Sequence, residues 1–554
     1  MDRINTVIKS RLNRNHSFQL LRLSCLFKVP IQFGLVLLCL SLPFTSSLQL
    51  ADSWVHTCEA KTKKSPKKKA TKKKSRRKKR KGRRKRRLKD EPALSLTALD
   101  KAFQRALSKK ALKDAKVGYV LRRLDNGKTL LAHEADTLFH PASNTKIVTT
   151  AAAYKILGPD ERFVTRWYIE QVQEGQETIN RLYWRASGDP KLVPETFKEV
   201  AESIKRSLKE KKIALRIDEL IIDDKDFTEE YLAPGYDQKA DDDAAYRAAN
   251  GSIGFQFNRF TTAFKPGKKV GEAPIVTVNP PIPYFTVQNQ AKTSRRGKER
   301  LRLQAKDSED LQHMILEIGG SIPKRHKSVS TRRRIGNPIQ FAGQAFLHYL
   351  SEAGIKVNMK ISKGLVPNQL EPIKVHKSPH MSSLIKDINV YSNNYMAEQL
   401  LLAMGMRVRG FAGWTEGQLV VRSYLDAIVG IQGYQYVNGS GLFGDTAFSP
   451  NMLSQVLITA YNESNGAFRD LLPMAGKEGT LRKRLRQLPK GAFHGKTGTL
   501  DNVSTLCGYL DTRHADKLVL CLMMNDFKVK TWAIRSAQDE LVSFAWLLKL
   551  PHSL

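Results

Sequence analysis

The sequence predicts an α+β fold, an antiparallel sheet flanked by helices and split by a large strand-rich insertion. Three observations predict it. Helical and alternating apolar patterns interleave over residues 96–165 and return from residue 375 to the end. The intervening residues, 166–374, are mixed, rich in strand patterns and loops, and carry no obvious chemistry. The residue groups that do suggest chemistry stand on either side of that stretch.

A chain of 554 residues has room for two to four domains, and 41% apolar content is ordinary for a globular protein with a charged tail. The net charge of +40 is not ordinary. About half of it sits in residues 61–89, and the remainder is still basic, so the surface favours anionic partners. Of five cysteines, Cys25, Cys39 and Cys58 fall in the first sixty residues, and no pair has zinc-ligand spacing. Cys507 and Cys521 lie on successive strand-like runs. A cross-strand disulfide and two buried free thiols both fit.

Residues 1–50 read as a secretory signal peptide or signal anchor: a basic start, an apolar run over 33–42, then Pro43 and the small polar residues Thr45, Ser46 and Ser47. Residues 31–50 are barely long enough to span a bilayer, and Pro43 and Gln49 count against an anchor. The expected location is therefore the periplasm or cell envelope. Residues 51–95 form a strongly basic segment that cannot bury a core and reads as disordered. Its expected partner at residues 61–89 is an anionic wall polymer, a lipid headgroup or nucleic acid, though no aromatics are interleaved to stack on bases. A solvated tether is the plainer reading.

The globular pattern starts at residue 96. Residues 96–112 have helical spacing, 116–124 alternate like a strand, Asp125-Asn126-Gly127 is a hairpin turn and 129–133 return. Residues 139–146 then read as a loop entering a helix, with Pro141 suited to the start. Inside the insertion, 295–302 and 324–334 are two basic clusters, read as solvated faces or loops. Beyond residue 375, helices are expected after residue 381 and at Ser449-Pro450, where Ser449 caps and Pro450 takes the first position. Strands come next at 503–510 and 518–524, and an amphipathic helix at 532–548 closes the chain. Residues 96–165 and 375–554 are thus expected to make one domain, with 166–374 as one or two inserted domains.

Ser143 and Lys146 are three residues apart and neighbours on a helix face. A serine hydroxyl needs a base within reach to act as a nucleophile, and a lysine can be that base if its pKa is depressed. The spacing alone is weak, since Ser65 and Lys68, Ser75 and Lys78, Ser321 and Lys324, and Ser383 and Lys386 share it. Two later motifs, in order, single out Ser143: Ser392-x-Asn394, then Lys496-Thr497-Gly498-Thr499 heading a strand.

With these three motifs the chain resembles the penicillin-binding proteins and serine β-lactamases. More narrowly it is similar to the penicillin-binding protein 4-like D-Ala-D-Ala carboxypeptidase/endopeptidase family, peptidase family S13. That family places a large insertion between its first two motifs, and about 245 residues separate Lys146 from Ser392 here. Pro141-Ala142-Ser143, Gly188-Asp189-Pro190, Gly439-Ser440-Gly441-Leu442 and Leu472-Pro473-Met474-Ala475-Gly476 add to the likeness, which covers residues 96–554.

The resemblance implies a β-lactamase/transpeptidase-like catalytic domain and an exported DD-peptidase needing no metal or organic cofactor. It implies that Ser143 attacks the D-Ala-D-Ala carbonyl, that Lys146 takes its proton, and that Ser392 relays a proton to the leaving D-alanine. Asn394 would hold substrate and Lys146, Lys496 would supply positive potential, and Thr497 and Thr499 would bind the substrate carboxylate. Gly498 would let the substrate approach the strand. Backbone N–H groups of Ser143 and Thr499 would form an oxyanion hole, about 3 kcal/mol per donor. Peptidoglycan stem peptides and β-lactams would both acylate Ser143. Two departures stand out. Asn438 replaces the usual aspartate before Gly439-Ser440-Gly441, so a charge is missing there, and residues 241–258 match poorly. Tyr391-Ser392-Asn393 offers a second register for the middle motif. The competing functions are a serine β-lactamase or esterase on the same scaffold, and an anionic-polymer-binding wall protein with a vestigial site.

Overall fold

The computed structural model describes residues 88–110, 112–239 and 242–551. The expected leader, residues 1–50, and the basic run up to residue 87 lie outside the described residues.

The organising element is a five-stranded antiparallel sheet of β1 (Lys116–Arg123), β2 (Thr129–His133), β3 (Phe493–Leu500), β4 (Val503–Asp511) and β5 (Lys517–Asn525). Its order is β3–β4–β5–β1–β2, so the two ends of the chain close one sheet around everything between them. The hairpin turn predicted at Asp125-Asn126-Gly127 joins β1 to β2, with Gly127 at a φ of 69° that its missing Cβ permits.

The strand residues alternate between two cores, as a period of two requires. Val120, Cys507, Tyr509, Val519, Cys521 and Met523 enter one core. Tyr119, Leu121, Leu506, Leu510, Leu520 and Leu522 enter the other. With both faces covered, β4 and β5 are buried almost throughout and read as unbroken apolar runs. Cys507 and Cys521 stand directly opposite each other, and both are free, buried thiols.

Helices α1 (Leu96–Leu107), α2 (Thr145–Ile156), α3 (Met381–Tyr391), α4 (Asn394–Arg409), α5 (Trp414–Tyr424), α6 (Pro450–Glu463) and α7 (Thr531–Trp546) cover this sheet. α1 and α7 supply Leu99, Phe103, Leu541 and Trp546 to one face; α2 to α6 build the other core. Ser95 caps α1 by accepting from Ala98 N at 3.2 Å, and Ser449 caps α6 by accepting from Met452 N at 3.2 Å, with Pro450 at its first position.

The inserted stretch has its own core. A mixed sheet runs Ile361–Lys363, Glu219–Asp223, Glu177–Arg185, Val164–Glu174, Pro372–Lys377, and helices Pro194–Glu210 and Pro338–Glu352 pack against it. Trp167, Trp184, Phe197 and Phe346 pack together there, with Trp184 and Phe346 ring centroids 5.2 Å apart. Such pairs add about 0.5–1.5 kcal/mol beyond the area they bury. Smaller sheets complete the insertion, including a parallel pair of Lys292–Ser294 with Ser321–Pro323.

Candidate active site

Ser143 sits in a 3-10 turn, Ala142–Asn144, that leads directly into α2. Ala142 has a φ of 47°, a left-handed backbone that costs a residue with a Cβ about 1–3 kcal/mol. The surroundings hold that turn in place. Thr505 donates to Pro141 O at 2.8 Å, Thr145 donates to Ala142 O at 2.9 Å, and Asn144 Nδ2 donates to Cys507 Sγ at 3.1 Å. Two glycines let other segments close on it. A Cβ on Gly498 would collide with Pro141 O, and one on Gly441 would collide with Ala142 O. The result puts a half-buried hydroxyl at the positive end of a helix.

Lys146 is completely buried, and its Nζ donates to Ser143 Oγ at 3.2 Å, Asn394 Oδ1 at 2.7 Å and Ser440 O at 2.8 Å. An ammonium has three protons, and each finds an acceptor. Burial pulls the Lys146 pKa down to about 7, with the Glu398 carboxylate opposing the fall. Burial thus favours the free amine, which can accept the Ser143 proton along the 3.2 Å contact.

Ser392 occupies the break between α3 and α4, with a left-handed backbone at φ 55° and ψ 41°. That kink brings its hydroxyl to Lys496, whose Nζ donates to Ser392 Oγ at 2.8 Å and to Thr497 O at 2.9 Å. Lys496 is also fully buried; burial, then the charge of Lys146, pushes its pKa well below the usual lysine range. A charge on Lys146 thus disfavours a second ammonium at Lys496 in the same buried pocket. The register of the middle motif is also readable. Asn393 caps α4 by accepting from Met396 N at 3.2 Å and Tyr391 is exposed, whereas Asn394 reaches Lys146.

β3 is the sheet's edge strand, and it packs beside the Ser143 turn. Thr497 Oγ1 donates to Thr480 Oγ1 at 2.8 Å. Thr499 is exposed; its hydroxyl donates to Gly498 O at 2.8 Å and accepts from Arg535 at 3.0 Å. Its side chain thus stands apart from the two-lysine cluster, and Arg535 brings a second cation to the far end of β3.

A carboxyl group that the sequence reading did not single out, Glu398, is fully buried on α4 beside the loop that carries Asn438. Its carboxylate accepts from Gly439 N at 2.7 Å, Ser440 N at 2.9 Å and the Tyr236 hydroxyl at 3.2 Å. Burial raises its pKa, while Ser440, the Gly439 N–H and Lys146 pull it back. Asn438 has a different duty. Its Nδ2 donates to Pro234 O at 3.0 Å and Leu442 O at 3.1 Å, which a carboxylate could not do. A signal for Glu398 existed, since it is four residues after Asn394 and so on the same helix face.

The insertion, read as carrying no chemistry, also reaches the site. Tyr236 bonds Glu398 and stands 3.0 Å from Ser440 Oγ. Tyr246 O accepts from Asn394 Nδ2 at 2.9 Å, which sets the amide so that its oxygen faces Lys146. No local pattern marks either tyrosine, because the contacts span about 150 residues or more.

Comparisons with known proteins bear on this arrangement. The D-Ala-D-Ala carboxypeptidase 3 (S13) family matches residues 99–547. The D-alanyl-D-alanine carboxypeptidase of Actinomadura sp. (strain R39) is 27% identical over 440 residues, 76% of this chain and 80% of that protein. The D-alanyl-D-alanine carboxypeptidase DacB of Haemophilus influenzae is 24% identical over 456 residues, 79% of this chain and 91% of that protein. The crystal structure of penicillin binding protein 4 (dacB) from Haemophilus influenzae shares the fold, with a TM-score of 0.69 and 20% identity over 82% of this chain and 100% of that one.

Proposed function

This chain belongs to the D-Ala-D-Ala carboxypeptidase (S13) family, and we propose that it hydrolyses the D-alanyl-D-alanine bond of peptidoglycan stem peptides through an acyl-enzyme on Ser143. The observation that carries the assignment of roles is the buried Lys146 amine, 3.2 Å from Ser143 Oγ and fixed by Asn394 and Ser440 O.

Acylation starts with Lys146 as the free amine and Lys496 as the ammonium. As Ser143 Oγ attacks the carbonyl carbon, its proton passes to Lys146 Nζ. The oxyanion forms where the Ser143 and Thr499 N–H groups would meet it, at the positive end of α2. The carbon–nitrogen bond breaks, Ser392 gives its proton to the leaving D-alanine nitrogen, and Lys496 replaces it along the 2.8 Å contact. Deacylation runs these transfers in reverse. Water attacks the ester carbon and yields a proton through Ser392 to Lys496, while Lys146 returns its proton to Ser143 Oγ. Both lysines end as they began. Thr497 and Thr499, with Arg535 behind, are the groups for the substrate carboxylate.

Glu398 acts one step removed. It clamps the N–H groups of Gly439 and Ser440 and so holds the carbonyl that positions Lys146. We place the enzyme at the cell envelope with its substrate, exported through residues 1–50, and read residues 61–89 as a contact for an anionic wall polymer, lipid headgroup or nucleic acid. β-Lactams, whose ring carbonyl takes the place of the scissile one, acylate the same hydroxyl.

The test is mass spectrometry after exposure to a labelled penicillin. The expected adduct maps to the peptide holding Ser143 and persists; an adduct elsewhere removes the assignment, and rapid penicillin turnover reassigns the site as a β-lactamase.

A further inference from the structure

The two basic clusters of the insertion are separate in sequence but adjacent in the fold. The cause is the parallel pairing of Lys292–Ser294 with Ser321–Pro323, in which Ser294 stands opposite Pro323. Each strand runs straight into a basic loop, and Lys324 N donating to Ser294 O at 2.8 Å and Arg300 N donating to Ser321 O at 2.9 Å tie the loops together. A third loop joins at the buried Thr293. Gly267 N donates to Thr293 Oγ1 at 2.8 Å, Gly271 N to Thr293 O at 2.9 Å, and Thr293 N to Glu272 O at 2.7 Å.

The three loops expose Lys268 and Lys269 from the first, Arg295, Arg296, Lys298 and Arg300 from the second, and Lys324, Arg325 and Lys327 from the third. Nine cations share this surface with two carboxylates, Glu272 and Glu299, and both are turned to their own loops. Glu272 accepts from Lys269 N at 2.9 Å and Glu299 from Leu301 N at 2.7 Å. Among the described residues none of the nine side chains forms an ion pair, and none bonds a residue of the active site. Like charges repel one another, and the fold keeps these loops together through the hydrogen bonds around Thr293 and Ser294 and the apolar cluster of Phe264, Ala291, Ile318 and Ile322.

We propose that these loops form a docking surface for a linear phosphodiester polymer of the cell envelope, distinct from the active site. Charge density selects the partner. A polymer with an anion at every repeat releases many counterions to nine clustered cations, whereas a sparsely charged polymer releases few. The loops hold no phenylalanine, tyrosine or tryptophan to stack on unpaired bases, which sets single-stranded nucleic acid aside, and the envelope location proposed above favours a wall polymer over a duplex. They present one exposed large apolar side chain, Val270 at 50%, too little to wedge into a bilayer.

The experiment measures binding of the full chain to poly(glycerol phosphate) across a salt series. It compares wild type with a variant carrying Arg295→Gln, Arg296→Gln, Lys298→Gln and Arg300→Gln. Residues 61–89 are present in both, so the difference reads this surface alone. The expected variant binds at least about tenfold more weakly at moderate salt, with the slope of log affinity against log salt reduced by about three. A second variant with lysine at the three arginines should bind as wild type, because charge is what counts. Replacing Lys101, Arg105, Lys110 and Lys113 by glutamine should change neither quantity, and all variants should take a penicillin label at the wild-type rate. An unchanged slope in the first variant overturns the proposal. So does loop-dependent binding that prefers anionic phosphatidylglycerol vesicles, or a duplex or single-stranded oligonucleotide of equal phosphate count, to the polymer.

Discussion

The active site and the basic loops are both clusters of cations, and they differ in one physical respect. Lys146 and Lys496 are entirely out of water, while the loop lysines and arginines are exposed. Burial disfavours the charged form, so the first pair is pushed toward neutrality and becomes able to exchange protons. The exposed group works through its summed field. The same residue type serves chemistry in one place and attraction in the other, and desolvation decides which.

The sharpest break of this contrast is to remove the group the buried pair serves. Ser143→Ala should lower DD-peptidase turnover by about 10⁴-fold or more and abolish the penicillin adduct, seen by intact-mass measurement. Next in size is a change that keeps charge and removes basicity. Lys146→Arg leaves a cation that cannot give up its proton, so acylation should fall by about 10²–10⁴-fold, measured by stopped-flow trapping with a β-lactam. If charge alone mattered at this position, the variant would retain most of its rate.

Glu398→Gln tests the clamp. A carboxylate accepting two N–H bonds is replaced by an amide with one oxygen, and loss of a buried charged hydrogen bond is about 1.5–3 kcal/mol. Acylation should drop about tenfold to a hundredfold. The wild-type acylation rate should rise with pH through about 7, as Lys146 loses its proton. Asn394, Ser143 and Ser440 O face Lys146 as neutral acceptors, and of the two charged groups, Glu398 and Lys496, only Glu398 favours its protonated form. Removing that charge should move the rising limb to lower pH, a shift that loss of packing alone would not produce. The smallest effect belongs to the exposed cluster: Arg296→Gln should change thermal stability and penicillin acylation by no more than about 0.5 kcal/mol equivalent.

Legibility in the sequence tracks the range of the interaction. The hairpin of β1 and β2, the caps Ser95 and Ser449 and the Ser143–Lys146 spacing are local, and local pattern finds them. Ser392, Asn394 and Lys496 were legible because their motifs combine, although nothing nearby foretold that they meet. Glu398 was passed over because a glutamate on an amphipathic helix usually faces water, and only the loop of residues 438–441 folding onto α4 makes it a buried acceptor. Tyr236 and Tyr246 come from the insertion, about 150 residues or more from the groups they bond, so no local pattern ties them to the site. The two basic clusters look like separate solvated loops until the parallel pairing of Lys292–Ser294 with Ser321–Pro323 joins them, and parallel pairing has no short-range signature.

The facing thiols of β4 and β5 have a use of their own. Cys507 and Cys521 are wholly buried, and burial raises the Cys521 thiol well above its ordinary range, so thiolate is scarce as well as sheltered. Iodoacetamide can modify them only when the sheet behind Ser143 opens, and peptide mapping separates them from Cys25, Cys39 and Cys58. Cys507 also accepts the Asn144 side chain next to the nucleophile. The molecule therefore carries a chemical clock in the wall of its own active site, one that reads how often that wall breathes and how far a bound β-lactam slows it.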